Sequence, residues 1–296
     1  MTFVTRFAPS PTGPLHLGHA YSALLACDMA TSHEGSFLLR IEDIDRARSR
    51  PQWETRIFDD LHWLGITWPT PVMRQSLRLD VYEHALETLW NNGLLYPCTC
   101  NRRDIAAAVG APQEGAPLLG PDGIIYPGTC RKKSDRTGPM PRTVPLRLDM
   151  EAAVHRTVDL FGESAGFQED GVGPEGETGW ITFSGQEMIE TIGDVVLSRR
   201  DMGTSYHLSV VLDDAEQGVS HVVRGQDLFE ATRIHILLQS LLGLTSPVYH
   251  HHKLIRDDTG KRLAKRDDAR AIAKYRAEGQ SPADIRAMVG LCHRRH

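Results

Sequence analysis

The feature that most constrains this chain is the stretch Arg6-Phe7-Ala8-Pro9-Ser10-Pro11-Thr12-Gly13-Pro14-Leu15-His16-Leu17-Gly18-His19. It joins a short apolar run, Phe3 to Ala8, to a helix-like run from about Leu15 into Ala30. A strand that stops in such a Pro- and Gly-rich turn and re-enters as a helix aims backbone N–H groups at an anion. His16 and His19 are three apart and share one face of the first helical turn. Gly18 lets a flat ring approach the backbone. The chemical reading is a phosphate site in which imidazoles help hold a polyphosphate. The plain reading is a strand–turn–helix junction with two surface histidines, and the motif alone does not separate the two.

At 296 residues the chain can form one large domain or two modest ones with a sizeable core. Hydrophobic residues at 41% and charged residues at 24% are those of an ordinary globular protein. A net charge of -5 confines any nucleic-acid contact to a local patch. No signal-type segment and no 18-residue apolar run is visible, so a cytoplasmic protein without membrane insertion is expected. Three of the five cysteines, Cys98, Cys100 and Cys130, cluster, which suits reduced thiols better than a disulfide framework.

Ser36–Ile41 reads as a buried strand with Glu42-Asp43-Ile44-Asp45 at its carboxyl end, where open α/β sheets gather ligands. The other reading of these acids is a solvated turn. Alternation puts Arg40 and Glu42 on one face and Asp43 on the other. Gln52–Leu64 and Leu79–Asn92 carry helical apolar stripes, read as core faces, with Gly93 closing the second. Strand then helix, repeated, predicts a parallel sheet. From Pro97 to Pro145 the chain is dense in Pro and Gly, with Arg103–Val109 as a short helix. Residues 162–179 are Gly- and Glu-rich and are expected to form an exposed excursion with little core. The domain plan is therefore 1–96 with 191–260 as one split catalytic domain, 97–190 as an insertion, and 261–296 as a basic loop with terminal helices.

Beyond the insertion, Asp194–Arg199 and Tyr206–Leu212 are expected to pair as a hairpin about Asp201-Met202-Gly203. Val219–Arg224 reads as a strand, Asp227–Leu242 as a helix closed by Gly243, and Val248–Ile255 as a strand. Consecutive His250, His251 and His252 cannot share a strand face, which argues against a metal there. Helices are expected at Asp268–Ala277 and Pro282–Met288, the second capped by Ser281, with Cys292 to His296 a frayed end.

Three thiolates in a small loop-rich segment make a reasonable zinc set, although Cys98-Thr99-Cys100 departs from the commoner two-residue spacing. Tyr126, His155 or water could complete it; three plain reduced cysteines are the alternative. Lys261-Arg262-Leu263-Ala264-Lys265-Arg266 follows Asp257-Asp258-Thr259-Gly260. Such a loop can close on a triphosphate and neutralise departing pyrophosphate. Alone it reads equally as solvated surface; the early histidine turn gives it a partner.

Assembled, these residues resemble the class I aminoacyl-tRNA synthetases of the glutamyl type. The carriers are Arg6 to Gly13 running into His16-Leu17-Gly18-His19, Arg40-Ile41-Glu42-Asp43 with Asp45, and Tyr206 before Asp213-Asp214. Val223-Arg224-Gly225-Gln226-Asp227-Leu228 and the basic loop follow in the same order, so the resemblance spans roughly residues 3–270. It implies an α/β fold: a Rossmann-like parallel sheet with a zinc-containing insertion and a short C-terminal helical segment. It further implies glutamate held by Arg6, Phe7, Ala8, Pro9, Ser10, Glu42, Tyr206 and Arg224. ATP, with Mg2+, would lie over His16, Gly18 and His19, and Lys265 would reach its phosphates, making His16, His19 and Lys265 the catalytic set. The chain departs from the family's basic-loop motif at Arg262, in place of a lysine, and Ala264, in place of a serine.

Only 31 residues (296 − 265) follow Lys265, too few for the helical anticodon-binding region of that type. This, with Cys98, Cys100, Tyr126 and Cys130, is similar to the glutamyl-Q tRNA(Asp) synthetase family, and the similarity favours Tyr126 over His155 as the fourth Zn2+ ligand. It implies activation of L-glutamate to glutamyl-adenylate and transfer to the queuosine base of tRNA(Asp), by a monomer. The alternatives are charging the 3′ end of tRNA(Glu), another nucleotidyltransferase of the histidine-turn type, or a non-catalytic tRNA-binding paralogue.

Overall fold

The computed structural model describes residues 2–109, 119–161, 164–256 and 270–291. The opening run forms β1 (Val4–Phe7), and the chain turns through Ala8 to His16 into α1 (Leu17–Ser32). Ala20, Ala23, Ala26 and Ala30 make up most of the helix face that is buried, so α1 lies close on the sheet. Thr5 Oγ1 donates to the Ala26 carbonyl across that contact at 2.8 Å. Next come β2 (Ser36–Ile41), α2 (Pro51–Trp63), β3 (Met73–Arg74) and α3 (Leu79–Asn91). β1 runs parallel to β2, with Arg6 opposite Leu38, and β2 runs parallel to β3. Both apolar stripes are core faces, as expected: Ile57, Leu61 and Leu64 in one core, Leu86, Leu89 and Trp90 in another. Gly93 closes α3 at φ +73°, a left-handed backbone that glycine adopts without cost.

The middle of the chain holds β4 (Leu95–Pro97), α4 (Arg102–Val109), β5 (Leu119–Gly120), β6 (Gly123–Ile124), β7 (Leu146–Leu148) and α5 (Met150–Phe161). Then follow β8 (Ser164–Glu169), β9 (Gly179–Ser184), α6 (Gly185–Thr191) and β10 (Val196–Ser198). β4, β7 and β10 make a small antiparallel sheet. Beside it Tyr96, Cys98 and Tyr126 form a separate buried cluster, against which Cys100, Ile105 and Cys130 pack.

The last part is α7 (Tyr206–Glu216), β11 (His221–Gly225), α8 (Ala231–Leu241), β12 (Val248–His252), α9 (Ile272–Ala277) and α10 (Pro282–Met288). β11 pairs in parallel with β12 and β12 with β8, while β9 adds antiparallel to β8. Ser220 N donates to the Val4 carbonyl at 3.0 Å, which sets β11 beside β1. The strands thus run β3-β2-β1-β11-β12-β8-β9. Val222 belongs to one core and its neighbour Val223 to the other, so the sheet divides two apolar layers. This is the doubly wound arrangement, with its switch point between β1 and β11. Among the described residues no helix is long and apolar enough to cross a membrane.

Two expectations fail. Tyr206–Leu212 is the start of α7, not a hairpin strand, and Val196–Ser198 pairs with β7 instead. Ser205 caps that helix, its hydroxyl accepting from Leu208 N. Residues 162–179, expected as an exposed excursion, include β8, which docks on the catalytic sheet: Phe167 is in the core and Tyr249 of β12 faces Glu169. Gly166 there serves close packing, since a Cβ on it would lie 2.6 Å from the Ile181 carbonyl oxygen.

Candidate functional site

The carboxyl ends of β1, β2 and β11 converge at the switch point, the place where such sheets bind ligands. A cavity of about 540 Å³ lies there, lined among others by Phe7, Ala8, Pro9, Ser10, His19, Glu42 and Tyr206. Seven residues singled out in the sequence therefore meet around one space. Arg6, next to Phe7 in the chain, and Arg224, which donates to the carbonyl of the lining residue Leu228, adjoin it, each 6% exposed.

The helix start on its rim is built from the two histidines. His16 is the N-cap of α1, and its Nδ1 accepts from Gly18 N at 3.1 Å. His19 Nδ1 accepts in return from His16 N at 3.2 Å, and the rings lie 3.8 Å apart. Both Nδ1 atoms accept, so each neutral ring carries its proton on Nε2. At Gly18 a Cβ would meet the His16 ring at 3.0 Å. The chain also returns to this turn after the basic loop, Ile272 N donating to the Leu15 carbonyl at 2.9 Å. Lys265 and residues 257–269 lie outside the described residues.

Beneath the cavity is a charge network that sequence reasoning missed. Arg40, fully buried, donates to Asp214 at 2.6 Å, Gln217 at 3.0 Å and Glu42 at 3.2 Å. The predicted shared face of Arg40 and Glu42 is thus realised as an ion pair. Arg6 binds the same Asp214 through two nitrogens, at 2.9 and 3.2 Å. Asp213 takes Gln75, Arg78 and Tyr82. Burial raises the Asp214 carboxyl, but Arg6 and Arg40 override it and hold the pKa at about 2. Glu42 goes the other way: burial raises its pKa despite Arg40 and Arg6. A carboxylate so placed gains from an incoming ammonium. Asp43 is turned away, accepting from the Ser76 N and hydroxyl. The one available signal was a charge inside the apolar strand Ser36–Ile41, since a buried guanidinium demands carboxylates.

Arg224 donates to His251, His235, Thr232 and the Leu228 carbonyl. Of the three consecutive histidines, His251 is hydrogen-bonded to Glu169 and His252 to Ser22.

The cysteines also converge. Cys98, Cys100 and Cys130 place their sulfurs within 4.8 Å of one another. The Tyr126 hydroxyl is 3.5 Å from Cys98 Sγ and 3.3 Å from Cys100 Sγ, and it accepts from Cys130 N at 2.9 Å. The guanidinium of Arg147 covers the Tyr126 ring at 3.9 Å. His155 is exposed on α5. Burial raises the Cys130 thiol, but hydrogen bonds from Tyr126, the Thr99 backbone and the other cysteines bring it down to about 6.

The family model of the catalytic domain of class I tRNA synthetases (E and Q) matches residues 2–117 and 176–294. A glutamyl-Q tRNA(Asp) synthetase of Rhodobacter capsulatus is 64% identical over 97% of this chain and 100% of its own length. One from Nocardia farcinica is 40% identical over 96% of this chain and 82% of its own. A crystal structure of a glutamate tRNA ligase from Elizabethkingia meningosepticum in complex with its amino acid superposes with a TM-score of 0.74 at 25% identity. That match covers 98% of this chain and 61% of the ligase, so the chain spans less than two thirds of it. The chain belongs to the class I tRNA synthetases of the E and Q type and, within them, to the glutamyl-Q tRNA(Asp) synthetase family.

Proposed function

We propose that the protein activates L-glutamate with ATP and transfers it to the queuosine base of tRNA(Asp). The observation that carries the reading is one cavity at the switch point, with the Glu42 carboxylate in its wall, two buried arginines adjoining it and a histidine-capped helix start on its rim. The choice of acceptor is supported by relatives bearing that name, one matched over its full length.

The site's chemistry follows from charge. Glutamate brings one ammonium and two carboxylates. Glu42 takes the ammonium, and Arg224 takes the side-chain carboxylate. Arg6, though tied to Asp214 on one edge, supports the amino acid from below. The α-carboxylate then attacks the α-phosphorus of ATP in line, the bond to the β,γ-pyrophosphate breaks, and glutamyl-adenylate forms. No covalent enzyme intermediate is needed; positioning and charge stabilisation suffice. His16 and His19 supply Nε2–H donors at the helix terminus, where backbone dipoles also favour an anion. Lys265 neutralises the departing pyrophosphate, and Mg2+ accompanies the nucleotide. A queuosine hydroxyl next attacks the activated carbonyl and expels AMP.

Zn2+ suits the second cluster. Zinc–sulfur bonds of about 2.3 Å in a tetrahedron separate sulfurs by about 3.8 Å, and Cys100 and Cys130 stand 3.4 Å apart. Cys98, Cys100, Cys130 and Tyr126 would hold the ion in a structural role, stabilising a segment whose own core is small.

Glutamate-dependent exchange of pyrophosphate into ATP without tRNA tests the first half-reaction. Robust exchange is expected, reduced roughly a hundredfold by His16→Ala. No exchange in the wild-type enzyme would end the proposal.

A further inference from the structure

Three buried arginines underlie the cavity, and one is held differently from the others. Arg6 binds Asp214, and Arg40 binds Asp214 and Glu42. Arg224 is instead held by two imidazoles, a hydroxyl and a carbonyl. Its Nε donates to His251 Nε2 at 3.1 Å and one terminal nitrogen to His235 Nδ1 at 3.0 Å. The other donates to Thr232 Oγ1 at 2.6 Å and the Leu228 carbonyl at 3.2 Å.

A guanidinium only donates, so both imidazoles accept from it and their protons are thereby assigned. His251 accepts at Nε2 and carries its proton on Nδ1, donating it to Glu169 at 2.5 Å. His235 accepts at Nδ1 and donates from Nε2 to His207 Nδ1 at 3.1 Å. His207 in turn donates from Nε2 to Asp122 at 3.0 Å. Two relays leave Arg224, each ending in a carboxylate, with at least one neutral ring in between. Burial disfavours the imidazolium, and the Arg224 charge opposes it further: His251 titrates down at about 4 and His235 well below its ordinary range. The Tyr206 ring also packs edge-on against His207 and His235, so the same relay borders the cavity wall.

We infer that His235 and His251 are positioning residues that hold Arg224 through neutral acceptors, and so reserve its charge for the substrate's side-chain carboxylate. The inference rests on the reading that Arg224 receives glutamate. A carboxylate in either place would satisfy the same N–H groups while neutralising the guanidinium, as Asp214 does for Arg6. A neutral ring satisfies them and leaves the charge to a substrate anion.

Pyrophosphate exchange with three substitutions at His235 tests this. His235→Asn keeps an acceptor where Nδ1 sits, His235→Phe removes it, and His235→Asp replaces it with a charge. The KM for glutamate is expected within about threefold of wild type for Asn, raised about tenfold for Phe, and raised about a hundredfold for Asp. The KM for ATP stays within about twofold, because the relay does not face the nucleotide. A purely structural role would lower kcat and thermal stability without this ranking, and equal glutamate KM values in all three variants would overturn the inference. If Arg224→Ala raises the glutamate KM while the His235 series does not, only the inference falls. If wild-type enzyme shows no glutamate-dependent exchange, both fall. Imidazole 15N resonances of the wild-type protein at pH 7 give a check free of folding effects. His235 is expected neutral with its proton on Nε2, and His251 neutral with its proton on Nδ1; a charged ring at either position contradicts the assignment.

Discussion

Arg40 shows how much of the site depends on a single side chain. Its guanidinium stands between Glu42 and Asp214, which would otherwise face each other in a dry interior. Arg40→Met is therefore expected to destabilise the fold by about 3–5 kcal/mol, the usual cost of leaving buried charges uncompensated. Urea denaturation measures this; a change below about 1 kcal/mol would show that water reaches the network. Glu42→Gln acts locally, removing the charge that meets the ammonium, and is expected to raise the glutamate KM about tenfold with little change in the ATP KM. At this scale the sequence was partly legible. Alternation along Arg40-Ile41-Glu42-Asp43 correctly paired Arg40 with Glu42. The partners Asp213, Asp214, His235 and Glu169 come from distant elements, and no local period points to such a meeting.

Among elements, α1 was readable from its turn and its histidines, although imidazole is an unusual cap. α7 was not. Val210 and Val211 suggested a strand, and burial of Leu208, Val210, Val211, Asp213 and Asp214 leaves no clean polar face to reveal a helical period. The Gly-rich stretch around β8 likewise hid a strand, because only its neighbours β12 and β9 give it a place to pair. The cysteine segment was legible as a set of sulfurs, and the fold adds the Tyr126 hydroxyl among them. Purified protein is expected to carry close to one equivalent of zinc, falling below about a tenth for Cys130→Ser. Tyr126→Phe should weaken affinity about 10- to 100-fold. Wild-type protein with less than about a tenth of an equivalent would leave the cluster as plain thiols.

For the whole molecule, buried and half-buried histidines dominate the response to acid. His221, His235, His250, His251 and His252 all have pKa values lowered by burial. The unfolded chain then binds more protons below the ordinary value of 6.5. Stability is full above that pH and is lost as pH falls toward about 4, where His251 titrates. Asp214, at about 2, extends the loss to lower pH. Asp60 opposes it: raised by burial to about 6, it favours the fold at low pH and loses that contribution as pH rises through 6. Five histidines outweigh this carboxyl and Glu42, so the thermal midpoint is expected to drop by roughly 5 °C between pH 7.5 and pH 5. An unchanged or higher midpoint at pH 5 would mean that the histidines are hydrated.

At the same scale, glutamate activated at the switch point is expected to go to a base in the anticodon. The direct measurement is transfer of labelled glutamate to tRNA(Asp) in two altered forms, one lacking the 3′-terminal adenosine and one with guanine in place of queuosine. Full labelling of the first and none of the second are expected. Labelling that requires the terminal adenosine and ignores queuosine would contradict this.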